Sequence, residues 1–266
     1  MKILKMINVL ILGSFSAILY TGTGCSKKEL DPNVELNKAV AEAESGNWEA
    51  AAKTAKNLTN NVKDNSDAYI IYGLTAENKG QLEEAVEAFK LAIDKDRTNF
   101  YGYYNAGRVY YKLKNYPEAV KFLQEALTLK SDNLDTKLLL AQAMTPQLLH
   151  KDAIVLYEDL AKTSKYVKSS EIYNQLGILY SRSGNTKKAF NNFKKAYVLD
   201  RGNPEAIYNL AIFVDNKLPN SKEYRKFKIN LLTSYLNLTK DNSQLKERRN
   251  KVQKRIKKIM RPVKKA

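Results

Sequence analysis

FYGYYNAGRVYYKLKNYPEA, residues 100–119, sets small residues at chosen places among bulky ones. Tyr103, Ala106, Gly107 and Tyr110 fall at i, i+3, i+4 and i+7, which is one face of a helix. Lys114-Asn115 is a turn signal, and Pro117 suits the first turn of a following helix, where its missing N–H is no loss. Two antiparallel helices approach closely only where side chains are small. The stretch therefore predicts a helical hairpin whose crossing is marked by Gly107 and Ala119. Such a pair cannot bury its apolar face alone, so the stack must be continuous to fold.

The same spacing recurs along the chain. Gly73, Gly107, Ala141, Gly177 and Ala211 are separated by 34, 34, 36 and 34 residues. Ala51, Ala85, Ala119, Ala153 and Ala189 follow at 34, 34, 34 and 36, and each pair from Gly73–Ala85 to Gly177–Ala189 is 12 apart. Turn signals stand between the helices at Ser45-Gly46-Asn47, Lys79-Gly80 and Ser183-Gly184-Asn185, while Leu148 occupies the slot where others have a turn Gly. A period of this length with fixed internal spacing is the signature of a helix-turn-helix solenoid.

The pattern resembles the tetratricopeptide repeat (TPR) family. Its aromatic-x-x-Leu-Gly-x-x-Tyr and later Ala-x-x-x-Phe appear as Tyr173, Leu176, Gly177, Tyr180, Ala189 and Phe193. They appear again as Tyr103, Ala106, Gly107, Tyr110, Ala119 and Leu123, and as Tyr69, Tyr72, Gly73, Ala85 and Phe89. The resemblance implies an all-α protein: a right-handed α-solenoid of about six repeats over residues 32–238, followed by a basic capping helix within 239–266. The usual Pro closing each repeat is absent, Pro146 falls near the end of the fourth first helix, and KLPNSK (217–222) enlarges the last inter-helix turn.

The N-terminus has the layout of an export signal: two lysines within residues 1–5, an apolar run from Met6 to Tyr20, then TGTG before Cys25. That run is shorter than the roughly 20 apolar residues a membrane span needs. Cys25 is the only cysteine, so no disulfide framework exists and no metal cluster is expected. Thr23-Gly24-Cys25 resembles the bacterial lipobox, with Gly22 where a Leu is usual. It implies a lipoprotein signal at 1–24, a lipidated Cys25 and a tether to residue 31. Ser26, where an Asp would favour the inner membrane, leans towards the periplasmic face of the outer membrane. An ordinary cleaved signal is the alternative.

Formal net charge is +17, but residues 241–266 alone hold eleven Lys or Arg against two acidic residues. Arg248, Arg249, Lys251, Lys254, Arg255, Lys257 and Lys258 surround an apolar stripe of Leu245, Val252, Ile256 and Ile259 or Met260, and Pro262 should end the helix. Two readings are compatible: a cap on the last repeat, and a polycation for anionic headgroups or an acidic partner. Nucleic acid is not expected of an exported chain.

No catalytic constellation is found, nor any cofactor motif. His150 is the only histidine, at a helix–helix turn, and no Gly-rich phosphate loop, HExxH or GxSxG occurs. What remains is a binding surface. In the family the first helices line a concave face where peptides or partner helices dock. Carried over, Tyr101, Tyr104, Arg108, Tyr111 and Lys112 should be exposed there in the third repeat. Ile70, Leu74 and Asn78 would flank them on one side, Leu138 and Gln142 on the other, with Asn174, Ile178 and Arg182 further along. Ile70, Ile71 and Leu74 stand where the family's carboxylate clamp needs polar groups, so that clamp is excluded. A mixed Tyr and aliphatic groove suits an apolar peptide or helix. In layout the chain is similar to TPR lipoproteins that serve secretins, outer-membrane assembly or peptidoglycan enzymes.

Overall fold

The computed structural model describes residues 31–219 and 221–261. The expected signal and Cys25 lie outside these residues, as does Pro262. Among the described residues every regular element is helical. In chain order the helices are α1 (Pro32–Glu44), α2 (Trp48–Asn61), α3 (Ser66–Asn78), α4 (Leu82–Lys95), α5 (Phe100–Lys112), α6 (Tyr116–Leu129), α7 (Leu134–Met144), α8 (His150–Lys162), α9 (Ser170–Arg182), α10 (Thr186–Leu199), α11 (Pro204–Lys217), α12 (Lys222–Leu238) and α13 (Lys246–Met260). The chain divides into two compact units, residues 1–143 and 144–266.

Capping residues repeat with the helices. In the first unit Asn47, Asn65, Asn99 and Asn115 each accept a hydrogen bond from a backbone amide of the helix they open. Ser169, Asn185, Asn203 and Ser221 do so in the second. Each such cap contributes about 1 kcal/mol. Two caps also tie successive repeats together. Asn99 Nδ2 donates to Ser66 Oγ at 2.9 Å, and that hydroxyl donates to the Ala92 carbonyl at 2.9 Å. Asn203, Ser170 and Ala196 repeat the arrangement in the second unit.

In the first unit α1 pairs with α2, α3 with α4 and α5 with α6, and first helices also touch, α3 lying against both α1 and α5. The core runs through Ala39, Ala55, Ile70, Leu74, Ala85 and Phe89, with Trp48, Tyr69, Tyr72 and Tyr110 packed on its margin. The glycines do mark the closest approach, but to a longer residue than the expected alanine. A Cβ on Gly107 would lie 2.6 Å from Leu123, four residues beyond Ala119, and one on Gly73 2.6 Å from the Phe89 ring.

In the second unit α9 with α10 and α11 with α12 form the corresponding pairs, α9 also touching α8 and α11. α13 packs on α12. Of its expected stripe Val252 is buried, Ile256 and Ile259 are half-buried, and Met260 is exposed.

Turns between paired helices demand a left-handed residue. Gly46, Gly80 and Gly184 supply it with φ of 81°, 79° and 78°. Lys114 and Leu148 hold the same slot at φ 60° with a side chain, a conformation that costs an L-residue about 1–2 kcal/mol. Leu148 is 75% exposed and loses little packing if truncated. Leu148→Gly should therefore stabilise the second unit by about 0.5–1 kcal/mol after glycine's own entropic cost, read as a higher urea midpoint.

Candidate functional site

α5 starts where Asn99 Oδ1 accepts from the Tyr101 amide at 3.0 Å. Tyr101, Tyr104 and Tyr111 along it are all half-buried. The Tyr104 ring stacks on buried Phe100 with centroids 5.7 Å apart, and Tyr101 meets Phe100 edge-on at 5.2 Å. The Lys130 ammonium lies 4.7 Å from the Phe100 centroid and 4.9 Å from that of Tyr101. Tyr111 contacts Tyr116 edge-on at 5.7 Å. Each of these tyrosines is thus braced by an aromatic neighbour while staying only half-buried. Burial pushes the Tyr101 and Tyr111 phenols above their ordinary value, so both remain neutral at neutral pH.

Arg108 is largely buried rather than open, and Lys112, although exposed as expected, is likewise paired. Glu77, near the end of α3, has a side chain 1% exposed and accepts from both terminal nitrogens of Arg108 and from Lys112 Nζ. Asn105 Oδ1 accepts from Arg108 Nε at 3.3 Å and Nη2 at 3.0 Å. Asn105 is fully buried, and its Nδ2 has no hydrogen-bond partner. Burial works against the Glu77 carboxylate, but hydrogen bonds and charge from Arg108 and Lys112 outweigh it and hold its pKa below the ordinary value. These two cations therefore join the third repeat to the second.

The flanking residues also differ from expectation. Ile70 and Leu74 are 0% and 1% exposed, because α3 is packed between α1 and α5; Asn78 alone of that trio is exposed. Leu138 and Gln142 on α7 are half-buried. In the second unit Asn174 is buried and accepts from Asn209 Nδ2 at 3.1 Å, Ile178 is half-buried and Arg182 is exposed.

The basic helix separates by residue type. Arg248 donates to Glu205 and lies 5.1 Å from the Tyr208 ring centroid, Arg249 donates to the Thr239 and Asn242 carbonyls, and Arg255 to Asp215 and Asn216. A planar guanidinium meets several acceptors at once, so the arginines hold α13 in place. Lys254, Lys257 and Lys258 are exposed, and Lys251 pairs with Glu247 on its own helix at 2.7 Å. Among the described residues no group of three or more His, Cys, Asp or Glu could hold a metal ion.

Glu77 and Asp215, which organise these clusters, escaped the sequence reading. Their signal is that each is a lone carboxylate ending an apolar run, IIYGLTAE (70–77) and LAIFVD (210–215). A charge in such a run is retained only with a partner.

Comparison with known proteins agrees with the architecture. A TPR repeat model matches residues 78–114, and tetratricopeptide repeat models match 100–133 and 170–203. The last two spans coincide with the α5–α6 and α9–α10 pairs. BBSome complex member bbs-4 of Caenorhabditis elegans is 27% identical over 206 residues, 62% of this chain and 44% of its own length. TPR repeat-containing protein MJ1428 of Methanocaldococcus jannaschii is 27% identical over 123 residues, 45% of this chain and 21% of its own. The chain thus spans less than half the length of these curated relatives. Among solved structures, YrrB, described as a TPR protein with an unusual peptide-binding site, superposes with a TM-score of 0.61 at 21% identity, covering 72% of this chain and 95% of its own. MamA gives 0.58 at 22% identity, covering 64% and 92%. With helices paired at this period among the described residues of both units, glycines under Phe89, Leu123 and Phe193, and repeat models matching within 78–133 and 170–203, the chain is a tetratricopeptide-repeat protein.

Proposed function

We propose that the chain is a non-enzymatic scaffold that docks an apolar peptide or helix of a partner protein on α5, and that it does so tethered to the bacterial cell envelope through Cys25. The observation that carries the docking reading is the row of half-exposed Tyr101, Tyr104 and Tyr111, each braced by an aromatic neighbour. Tyrosines fixed in this way offer large contact area with little entropy left to lose on binding. The peptide-binding site named for YrrB, a neighbour in fold, is consistent with such a role. The tether rests on Thr23-Gly24-Cys25 after a short apolar run. Two acyl chains would anchor the protein stably, since each buried CH₂ contributes about 0.8 kcal/mol. From that position the scaffold would assemble or position envelope proteins at the periplasmic face of the outer membrane.

A photo-crosslinking amino acid introduced at position 104 or 111 tests both parts in native membranes. One discrete protein adduct is expected from these positions and none from position 91, where an exposed Leu lies on α4. Adducts of equal yield from all three would reject the α5 surface. Cys25→Ser should move the protein, adduct included, into the soluble fraction, and an unchanged distribution would reject the tether.

A further inference from the structure

α11, α12 and α13 surround a cleft of about 600 Å³ whose walls carry six cations and a single carboxylate. The carboxylate is Asp215, which pairs with Lys228 at 2.7 Å and with Arg255 at 2.5 Å. Lys228 is only 6% exposed, so this triad is part of the packed structure and keeps an excess positive charge. Burial disfavours the Asp215 charge, but hydrogen bonds from Lys228 and Arg255 outweigh it, so the carboxylate stays ionised. Four further cations, Arg225, Lys254, Lys258 and Arg261, face the same volume, and no acidic side chain in the lining remains for them. Arg225 donates to the Arg261 carbonyl at 2.7 Å, tying α12 to the end of α13 at the rim. A second hollow, lined by Lys222, Arg225, Lys226, Ile229 and Asn230, meets the first at Arg225 and extends the positive surface.

Capping the last repeat does not require this concentration of charge. α13 is already held by buried Val252, by Arg248 on Glu205, by Arg249 on two carbonyls and by Arg255 on Asp215. Lys254 and Lys258, four residues apart on one helix face, repel each other when nothing lies between them. The cations converge from α12 and from α13 with its C-terminal Arg261 on one compact volume, and among its lining residues Ile259 is the sole apolar side chain. An extended acidic peptide would use a longer groove with apolar pockets. A small, highly charged, hydrophilic ligand fits this shape, and guanidinium and ammonium groups match phosphate oxygens.

We propose that this cleft binds a compact polyanion with clustered phosphates, either a free phosphorylated ligand or the head of a phosphate-rich lipid. Titration calorimetry of the full chain with sodium tripolyphosphate tests it. Saturable binding is expected, weakened at least about tenfold by Lys254→Ala with Lys258→Ala. Lys251→Ala with Lys257→Ala removes the same charge from the same helix outside the cleft and should change affinity little. Absence of binding by the wild type would overturn the proposal, as would equal loss in both double variants, which would mean a diffuse charge effect. An oligoglutamate binding as tightly as tripolyphosphate, and lost in the same variant, would reassign the cleft to acidic peptides. Sedimentation with vesicles containing cardiolipin, whose headgroup carries two phosphates, separates the two sources. Co-sedimentation lost in the Lys254/Lys258 variant identifies the lipid head, and tripolyphosphate binding without co-sedimentation identifies a free ligand. Either result upholds the clustered-phosphate site.

Discussion

Glu77→Ala is expected to destabilise the first unit by about 3–5 kcal/mol, measured by urea unfolding followed through the helical signal. The carboxylate is almost completely enclosed and serves both Arg108 and Lys112. Removing it leaves the largely buried Arg108 guanidinium with only Asn105 as a polar neighbour from its own helix. The loss belongs mainly to that stranded charge and not to the pair itself. Glu77→Met combined with Arg108→Met should therefore recover most of the stability, because replacing both partners with apolar groups is close to neutral. If the double variant is as unstable as the single one, the cluster matters through shape and not through charge. The pH dependence has a definite sign. The folded pKa of Glu77 lies below its ordinary value of 4.5, so its contribution is complete above that value and is lost as pH falls through the lowered folded value. Asp215, lowered from 3.8, should act in the same sense in the second unit, beginning at lower pH. Wild-type stability is therefore expected to fall on acidification below about 4.5, and the Glu77→Met/Arg108→Met variant should show a shallower fall.

Gly177→Ala is expected to cost the second unit about 1–3 kcal/mol, and Gly177→Val more. An added Cβ would lie 2.5 Å from the Phe193 ring and inside contact distance of three of its atoms. Phe193 itself is buried and packs against Phe213 with centroids 5.2 Å apart, so the ring cannot turn away without disturbing the next repeat. The backbone of Gly177 has ordinary helical geometry, so in an isolated helix the same change would favour folding by about 1 kcal/mol. A stabilising or neutral result in the whole protein would show that the two helices can separate freely. A lowered urea midpoint at unchanged helical content would show that contact between the helices sets the identity of this residue.

Period and residue size were enough to place helices, turns and pairings, because each repeat must satisfy the same packing condition as its neighbours. Small residues at 34-residue spacing are visible wherever two backbones approach, and they led correctly to Gly73, Gly107 and Gly177. The turn residues obeyed the same rule, with Leu148 visible as an exception before its positive φ was known. The binding face was legible only in outline. Tyr101, Tyr104 and Tyr111 are half-exposed as their helical phase implies, but the phase of α3 wrongly put Ile70 and Leu74 beside them in the open. A helix packed on two sides buries nearly all of its circumference, and its sequence phase cannot reveal how many neighbours it has.

The charges obey no period at all. Arg108 finds Glu77 across 31 positions, and Arg255 finds Asp215 across 40, and neither distance is a repeat of the motif. A salt bridge needs only that two side chains reach the same point in space, a condition met by long flexible side chains from many starting positions. The amino-acid sequence alone determined that this chain builds paired helices at a 34-residue period and carries an excess of cations at its C-terminal end. Only the tertiary structure decided which cations are spent holding repeats together, as at Glu77 and Asp215, and which, like Lys254 and Lys258, line a cleft whose one carboxylate already pairs with Lys228 and Arg255. Helical periodicity is a local, additive property of the chain, whereas charge pairing is settled by three-dimensional proximity and by the cost of leaving a buried charge unpaired.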